Sequence, residues 1–342
     1  MANKSFSTSL LPEPLTVKSI AKEVFQRELQ GQCVPIVIKG FADDWPIVKQ
    51  AKQKHADMAA YLHSMLNEKS PKMSLTRIPF SEQSRMFYSP DMHAMNFGVA
   101  SLHPQNCFER MTQTNRDADY ATQCAPVSSY FPSLTDALHN PLVPANLSPF
   151  IWFGNKVIVA PHFDESDNIA VVAAGKRRFT LFPPQQTKNL YIGPLEFTPA
   201  GQPISLVDIL NPDLSAHPHY MEAYNHGLSV ELGPGDAIYI PSPWWHHVQS
   251  LSEFNILINY WWNESTLTTA KPLAALLHSM QAFKSLPKAQ RQAFKAMLDY
   301  YVFDDELTTH QHIPEHAKGL LSDLNATKRV ALEEWIEGLL QK

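Results

Sequence analysis

Two stretches of the sequence bring together side chains that could hold a metal ion. In APHFDESDN, residues 160–168, His162 and Asp164 stand one residue apart inside a segment that otherwise alternates like a β-strand. Side chains at i and i+2 of a strand leave the same face, so the imidazole and the carboxylate converge while Phe163 points away. In PSPWWHHVQS, residues 241–250, His246 and His247 follow two tryptophans on a second strand-like segment. Two histidines and one carboxylate form a facial set that leaves positions open on Fe(II) for substrates and O₂. His246 and His247 point to opposite faces, so at most one of them belongs to an interior site. His217, His219 and His226 are less well placed. Periodicity alone leaves the choice between His246 and His247 open.

The elements that must position these residues are short. Twenty-seven prolines against twelve glycines, nearly all ahead of the C-terminal tail, punctuate the chain and argue against long helices there. LTVKSIAKEVFQREL reads as a helix, with Ile20, Val24 and Phe25 at helical spacing behind a possible Thr16 cap. VPIVIKG reads as a buried strand and DMAAYLHSML as a second helix. From Lys72 to about Asn263 the pattern is β: KMSLTRI, RMFYS, FIWFG, KVIVAPHF, NIAVVAAG, RRFTLFPP, LSVELGPGDAIYIP, HHVQSL and FNILINYWW. Many short strands separated by Gly, Pro and Asp turns point to a sandwich or barrel. From about Ser265 the period becomes helical, with stripes at Leu273, Leu276, Leu277, Met280 and Phe283, then Phe294, Met297, Leu298 and Tyr301, then Leu332, Trp335, Ile336 and Leu339.

Composition narrows the class. A chain of 342 residues with 44% hydrophobic and 18% charged residues can bury a large core and carries no mark of disorder. A net charge of -5 gives no general grip on nucleic acid, which needs a basic excess. Cys33, Cys107 and Cys124 are odd in number and lack CxxC spacing, as expected of free thiols in a reducing compartment. The N-terminal segment has no apolar signal region and no 18-residue apolar run occurs, so a cytoplasmic protein is expected. The Asn325-Ala326-Thr327 sequon is then a chance match.

With these residues in view, the chain resembles the JmjC-type cupin hydroxylases, which are Fe(II)- and 2-oxoglutarate-dependent oxygenases. The resemblance is to the branch that contains the asparaginyl hydroxylase acting on hypoxia-inducible factor, and to its bacterial cupin-like relatives. It is carried by PHFDESDNIAVVAAGKRRFTLFPP, GDAIYIPSPWWHHVQSL and NILINYWW, and more loosely by VPIVIKGFADDWP and MFYSPDMHAMNF. HxD alone is a weak signal; the three stretches in this order are specific.

Carried over by position, the resemblance implies iron ligands His162, Asp164 and His247, taking the second histidine of WWHH, with His246 either facing outward or supporting the site from behind its ligands. It implies that Asn168 and Asn259 line the 2-oxoglutarate pocket and that Trp261 lies close to the substrate. Separately, among the aromatic residues Trp152, Phe153, Tyr88, Trp244 and Trp245 near these strands, most are expected to be core and Tyr88 is the one expected on the substrate side. The lysine that pairs with the distal carboxylate of 2-oxoglutarate falls at Arg177, whose planar fork also suits a carboxylate. Lys176 is adjacent but points to the other face of a regular strand. A threonine three residues before the first ligand is Val159 here, which removes a hydroxyl contact.

The implied fold is mainly β: a double-stranded β-helix (jelly-roll) core with N-terminal α/β elements over residues 1–264, and a helical region over 265–342 that could form a homodimer. The implied activity is that of a dioxygenase: hydroxylation of a C–H bond in a protein side chain or small molecule, with 2-oxoglutarate converted to succinate and CO₂. The competing expectations are a metal-binding cupin without oxygenase activity, a JmjC demethylase and a tRNA-base hydroxylase. General nucleic-acid binding and membrane association are not expected.

Overall fold

The computed structural model describes residues 7–263, 271–304, 310–322 and 325–340. In chain order its strands are β1 (Leu15–Val17), β2 (Ile36–Ile38), β3 (Met73–Pro79), β4 (Arg85–Met86), β5 (Gly98–Leu102), β6 (Ala118–Thr122), β7 (Ala125–Pro126), β8 (Phe150–Gly154), β9 (Ile158–His162), β10 (Asp167–Ala174), β11 (Arg177–Phe182), β12 (Leu228–Leu232), β13 (Ala237–Ile240), β14 (Trp245–Ser250) and β15 (Asn255–Trp262). They form two sheets. The larger runs β1-β2-β13-β10-β15-β8-β6-β3-β5, with β7 also paired to β8, and the smaller runs β12-β11-β14-β9-β4. The jelly-roll core is the pair of sheets facing one another.

Alternation along each strand decides what lies between the sheets. Ala170, Val172, Ile238, Ile240 and Leu257 of the larger sheet pack against Phe179, Leu181, Val230, Leu232 and Val248 of the smaller one. The odd-numbered residues of β10, Ile169, Val171 and Ala173, face the other way. There they meet the helices Pro46–Gln53, Met58–Ser64 and Pro104–Thr112 through Ile47, Val48, Met58, Leu62, Cys107 and Phe108. A strand covered on both faces has no polar side to present, which is why NIAVVAAG reads as an unbroken apolar run. Burying a side chain such as Phe179 or Leu181 contributes roughly 1.5–3 kcal/mol. The two sheets are held chiefly by such pairs, not by surface ions.

The sequence reading of the N-terminal segment needs correction. Leu15–Val17 is a strand that pairs parallel with β2, Leu15 opposite Ile36 and Val17 opposite Ile38. Thr16 is therefore not a helix cap; its hydroxyl donates to the Pro14 carbonyl. Helix begins only at Lys22, and Phe25 within it seats edge-on against Tyr239 at 4.9 Å. The span from Lys72 also holds a helix, Pro104–Thr112, started by proline at its first position and buried through Cys107, Phe108 and Met111.

The chain divides into two units, Met1–Trp262 and Asn263–Lys342. The second contains helices Pro272–Phe283, Lys288–Leu298 and Ala326–Leu340, matching the three apolar stripes. Phe283 and Phe294 stack at 4.9 Å. Leu276, Leu277, Met297, Trp335, Ile336 and Leu339 are exposed. Among the described residues no helix is long and apolar enough to cross a membrane.

The β10–β11 hairpin sets the position of Arg177. Gly175 in its turn has φ +76°, and a Cβ there would meet Asn255 Oδ1 at 2.5 Å and the Phe254 carbonyl oxygen at 2.8 Å. Gly175→Ala is expected to destabilise the protein by about 1–3 kcal/mol, read as a lower urea midpoint with an unchanged m-value. An unaltered midpoint would show that the turn tolerates a side chain.

Candidate metal centre and anion seat

β9 and β14 are antiparallel neighbours, with His162 opposite His246. Their pairing is irregular: between Val248 and His246 β14 advances two residues, while β9 advances three, from Val159 to His162. The extra residue is a β-bulge at Ala160-Pro161, a place where proline gives the ladder no N–H. The bulge lets Val159 and His162 both face the space between the sheets although they are three residues apart. His162 thereby meets His246, with ring centroids 4.2 Å apart.

The same parity decides between the two histidines. His246 lies opposite Leu181, and Val248 opposite Phe179, both core residues of the inter-sheet layer. His247 lies opposite Thr180 on the outer face. The cluster able to hold a metal ion is therefore His162, Asp164 and His246, with one donor atom from each lying within 4.8 Å of the others. His246 Nε2 is 3.7 Å from Asp164 Oδ2. His247 is not part of this cluster, and the expectation that it is the third ligand is corrected to His246. Strand alternation is the physical reason.

Each imidazole is oriented from behind. His162 Nδ1 bonds the Ala160 carbonyl oxygen at 2.9 Å, and His246 Nδ1 bonds that of Trp244 at 3.1 Å. With Nδ1 carrying the proton, Nε2 is left with its lone pair toward the cluster, the arrangement a metal-ligating histidine requires. Burial, followed by the neighbouring His162, pushes His246 down to about 4 against the opposing pull of Asp164. His246 is thus neutral at pH 7, the form that can donate to a metal. His247, 2% exposed, is pushed down to about 3, first by burial and then by Arg85. It is a neutral, buried residue of the outer face.

Asp164 lies just beyond β9 with its side chain 23% exposed. Its backbone carbonyl accepts from Ser242 Oγ at 3.0 Å, which ties the loop after β9 to the loop before β14. Asp164 Oδ2 accepts from Trp261 Nε1 at 3.1 Å and from Asn168 Nδ2 at 3.4 Å. Asn168 Oδ1 in turn accepts from Asn259 Nδ2 at 2.9 Å. Asn168, Asn259 and Trp261 share one face, since Asn168 is opposite Trp261 and Ala170 opposite Asn259 in the β10–β15 pair.

Arg177 lies deeper in the same layer, opposite Leu232 and Ser250. It is 8% exposed, its Nε is buried without a hydrogen-bond partner, and burial pushes its pKa down to about 10. It remains a cation at neutral pH. A buried ion left unpaired costs several kcal/mol, and among the described residues Arg177 has no carboxylate partner, so its chemistry suits an external anion. Arg178 differs: it faces outward and pairs with Glu231 at 3.2 Å. Tyr88 is buried, 3% exposed, and its hydroxyl donates to the Phe197 carbonyl at 2.7 Å. Its ring packs with Ala160 and Ile204, the latter bridged to His162. Tyr88 thus braces the bulged strand from outside.

A metal titration of two single variants separates the histidines. His246→Ala is expected to lose Fe(II) or Co(II) binding, while His247→Ala keeps affinity within a fewfold of the parent protein. The opposite ranking would return the third ligand to His247.

Residues 21–268 match the family model described as a cupin-like domain. HSPB1-associated protein 1 of Rattus norvegicus is 33% identical over 113 residues, covering 32% of this chain and 23% of that protein. Lysine-specific demethylase JMJ31 of Arabidopsis thaliana is 30% identical over 107 residues, covering 31% and 19% respectively. tRNA wybutosine-synthesizing protein 5 of Danio rerio is 27% identical over 151 residues, 42% of each chain. The chain thus spans less than half of the length of each of these relatives. The solved structure of E. coli ycfD is 16% identical with a TM-score of 0.42, covering 95% of this chain and 69% of that one. The match across most of the first unit, on a two-sheet core with histidines and a carboxylate gathered inside, places the chain in the JmjC-type cupin-like domain family.

Proposed function

We propose that the protein is an Fe(II)- and 2-oxoglutarate-dependent oxygenase that hydroxylates a C–H bond of a protein side chain or small molecule. The observation that carries this reading is that an unpaired buried cation, Arg177, shares the inter-sheet face with the His162–Asp164–His246 cluster. Arg177 pairs across β14 with Ser250 and His246 lies four residues back along that strand, about 13 Å between backbones. A dicarboxylate reaching from metal to guanidinium fits between two side chains that point into such a gap. A metal-binding cupin without an anionic co-substrate gives no reason for Arg177 to be buried and unpaired.

The chemistry of the donors agrees. Two imidazoles and a carboxylate would hold ferrous iron and leave positions open for other ligands. When bound together with 2-oxoglutarate, the iron would supply oxidative decarboxylation to succinate and CO₂, coupled to oxygen insertion into the substrate. The protein's own residues do the rest. His162 and His246 present Nε2, while Ala160 and Trp244 hold the opposite nitrogens. Arg177 would receive the distal carboxylate through its planar fork. Asn168 and Asn259 offer amide groups beside the cluster, and Asn259 Oδ1 is a buried acceptor without a partner. Val159, Val248 and Leu257 wall the space with apolar surface that limits water.

The three free cysteines, Cys33, Cys107 and Cys124, support a reducing, cytoplasmic setting as part of this reading. A homodimer built on the helical unit also belongs to this reading, supported by the exposed Trp335, Ile336 and Leu339 of helix Ala326–Leu340. Ending the chain before Ala326 should convert a dimer into a monomer by light scattering; an unchanged mass would reject this seam.

The activity is tested by following 2-oxoglutarate decarboxylation against peptide pools and extract fractions, with mass spectrometry for a product heavier by one oxygen. Asp164→Ala should abolish coupled turnover. Arg177→Leu should raise the 2-oxoglutarate concentration needed about 10- to 150-fold, the loss of a charge-assisted hydrogen bond of roughly 1.5–3 kcal/mol, while Arg177→Lys retains more of the affinity. Full turnover by the Asp164 variant, or none by the parent protein loaded with iron, would overturn the proposal.

A further inference from the structure

Asp164 is the least constrained of the three cluster residues by its own backbone, because it lies in a loop rather than within a strand. A partly exposed carboxylate in a loop rotates freely unless something holds it. Two N–H donors from the larger sheet converge on one of its oxygens, Oδ2, the atom that also lies 3.7 Å from His246 Nε2. The donors are cross-strand partners, Trp261 of β15 and Asn168 of β10. Neither can exchange its role. The indole nitrogen of Trp261 is a donor only. The Asn168 amide turns its NH₂ toward the Asp164 carboxylate, which only accepts, and its oxygen takes the Asn259 Nδ2 bond. The Trp261 ring is itself pinned, by Phe150 at 5.4 Å and by Trp152 at 6.3 Å between centroids.

We propose that Trp261 is a positioning residue for the metal site: its indole N–H, seconded by the Asn168 amide, holds the Asp164 carboxylate facing the two histidines before any metal arrives. The inference rests on the metal site of the proposed function and deepens it. It gives Trp261 a task distinct from substrate contact, since the bond runs to the ligand and needs no substrate. The shorter bond, 3.1 Å against 3.4 Å, belongs to Trp261, so its removal should cost more than removal of the Asn168 amide. Groups that orient a ligating carboxylate typically govern metal affinity by about 10- to 100-fold.

The test uses the full-length apo protein titrated with Co(II), followed by visible absorption and calorimetry, with thermal unfolding of the apo form alongside. Trp261→Phe keeps a ring between Phe150 and Trp152 and deletes the N–H. It should unfold at nearly the parent temperature, bind Co(II) about 10- to 100-fold more weakly and show an altered ligand-field spectrum. Asn168→Ala should show a smaller loss. Parent-like Co(II) affinity and spectrum in Trp261→Phe would overturn the proposal, as would collapse of its apo stability, which would make the indole a packing element. A parent protein that takes up no Co(II) would be a different result, removing the metal site and the proposed function with it.

Discussion

The constraint on which the site depends is the opposition of His162 and His246 across two antiparallel strands. His246 reaches the inter-sheet space by regular alternation with Val248, but His162, three residues from Val159, does not. The bulge at Ala160-Pro161 shifts β9 by one residue and brings His162 onto the face that His246 already occupies. Everything else at the site is built on that shift: the carbonyls of Ala160 and Trp244 take the rear nitrogens, and the i+2 position delivers Asp164 to the same side.

Electrostatics then sets what the interior can accept. His246 and His247 are both held neutral by burial, so they add no charge to the core. Asp164 brings one carboxylate near the rim, held by two N–H donors, and Arg177 brings one positive charge deep between the sheets with no carboxylate partner among the described residues. On the proposed function, a cation at the first and an anion at the second would complete the balance. The two charges are too far apart along β14 to neutralise one another, so the interior does not close on an ion pair between them.

Much of this was legible in the sequence where the physics is local. The His162–Asp164 pair follows from a two-residue period, and the tail helices follow from their own apolar stripes. The β10–β11 stretch from Asn168 to Arg177 keeps its motif register, so Asn168 and Arg177 could be placed. The choice of His246 over His247 was not legible, and the resemblance pointed to the wrong one. Parity in β14 is hidden because both faces are buried: His246 and Val248 face the inter-sheet layer, while Trp245 packs outward against Tyr220 and Ala223. With no polar face to mark the outside, only the register against β11 decides, and register is a long-range fact. The same limit explains Leu15–Val17, whose strand character comes from pairing with β2 rather than from its own residues.

The central claim is tested most directly by anomalous diffraction from crystals grown without oxygen and loaded with ferrous iron, collected on both sides of the iron absorption edge. The account predicts a single strong peak within bonding distance of His162 Nε2, His246 Nε2 and the Asp164 carboxylate. A peak coordinated by His247 on the outer face, or no ordered iron in a crystal whose fold is intact, would contradict it.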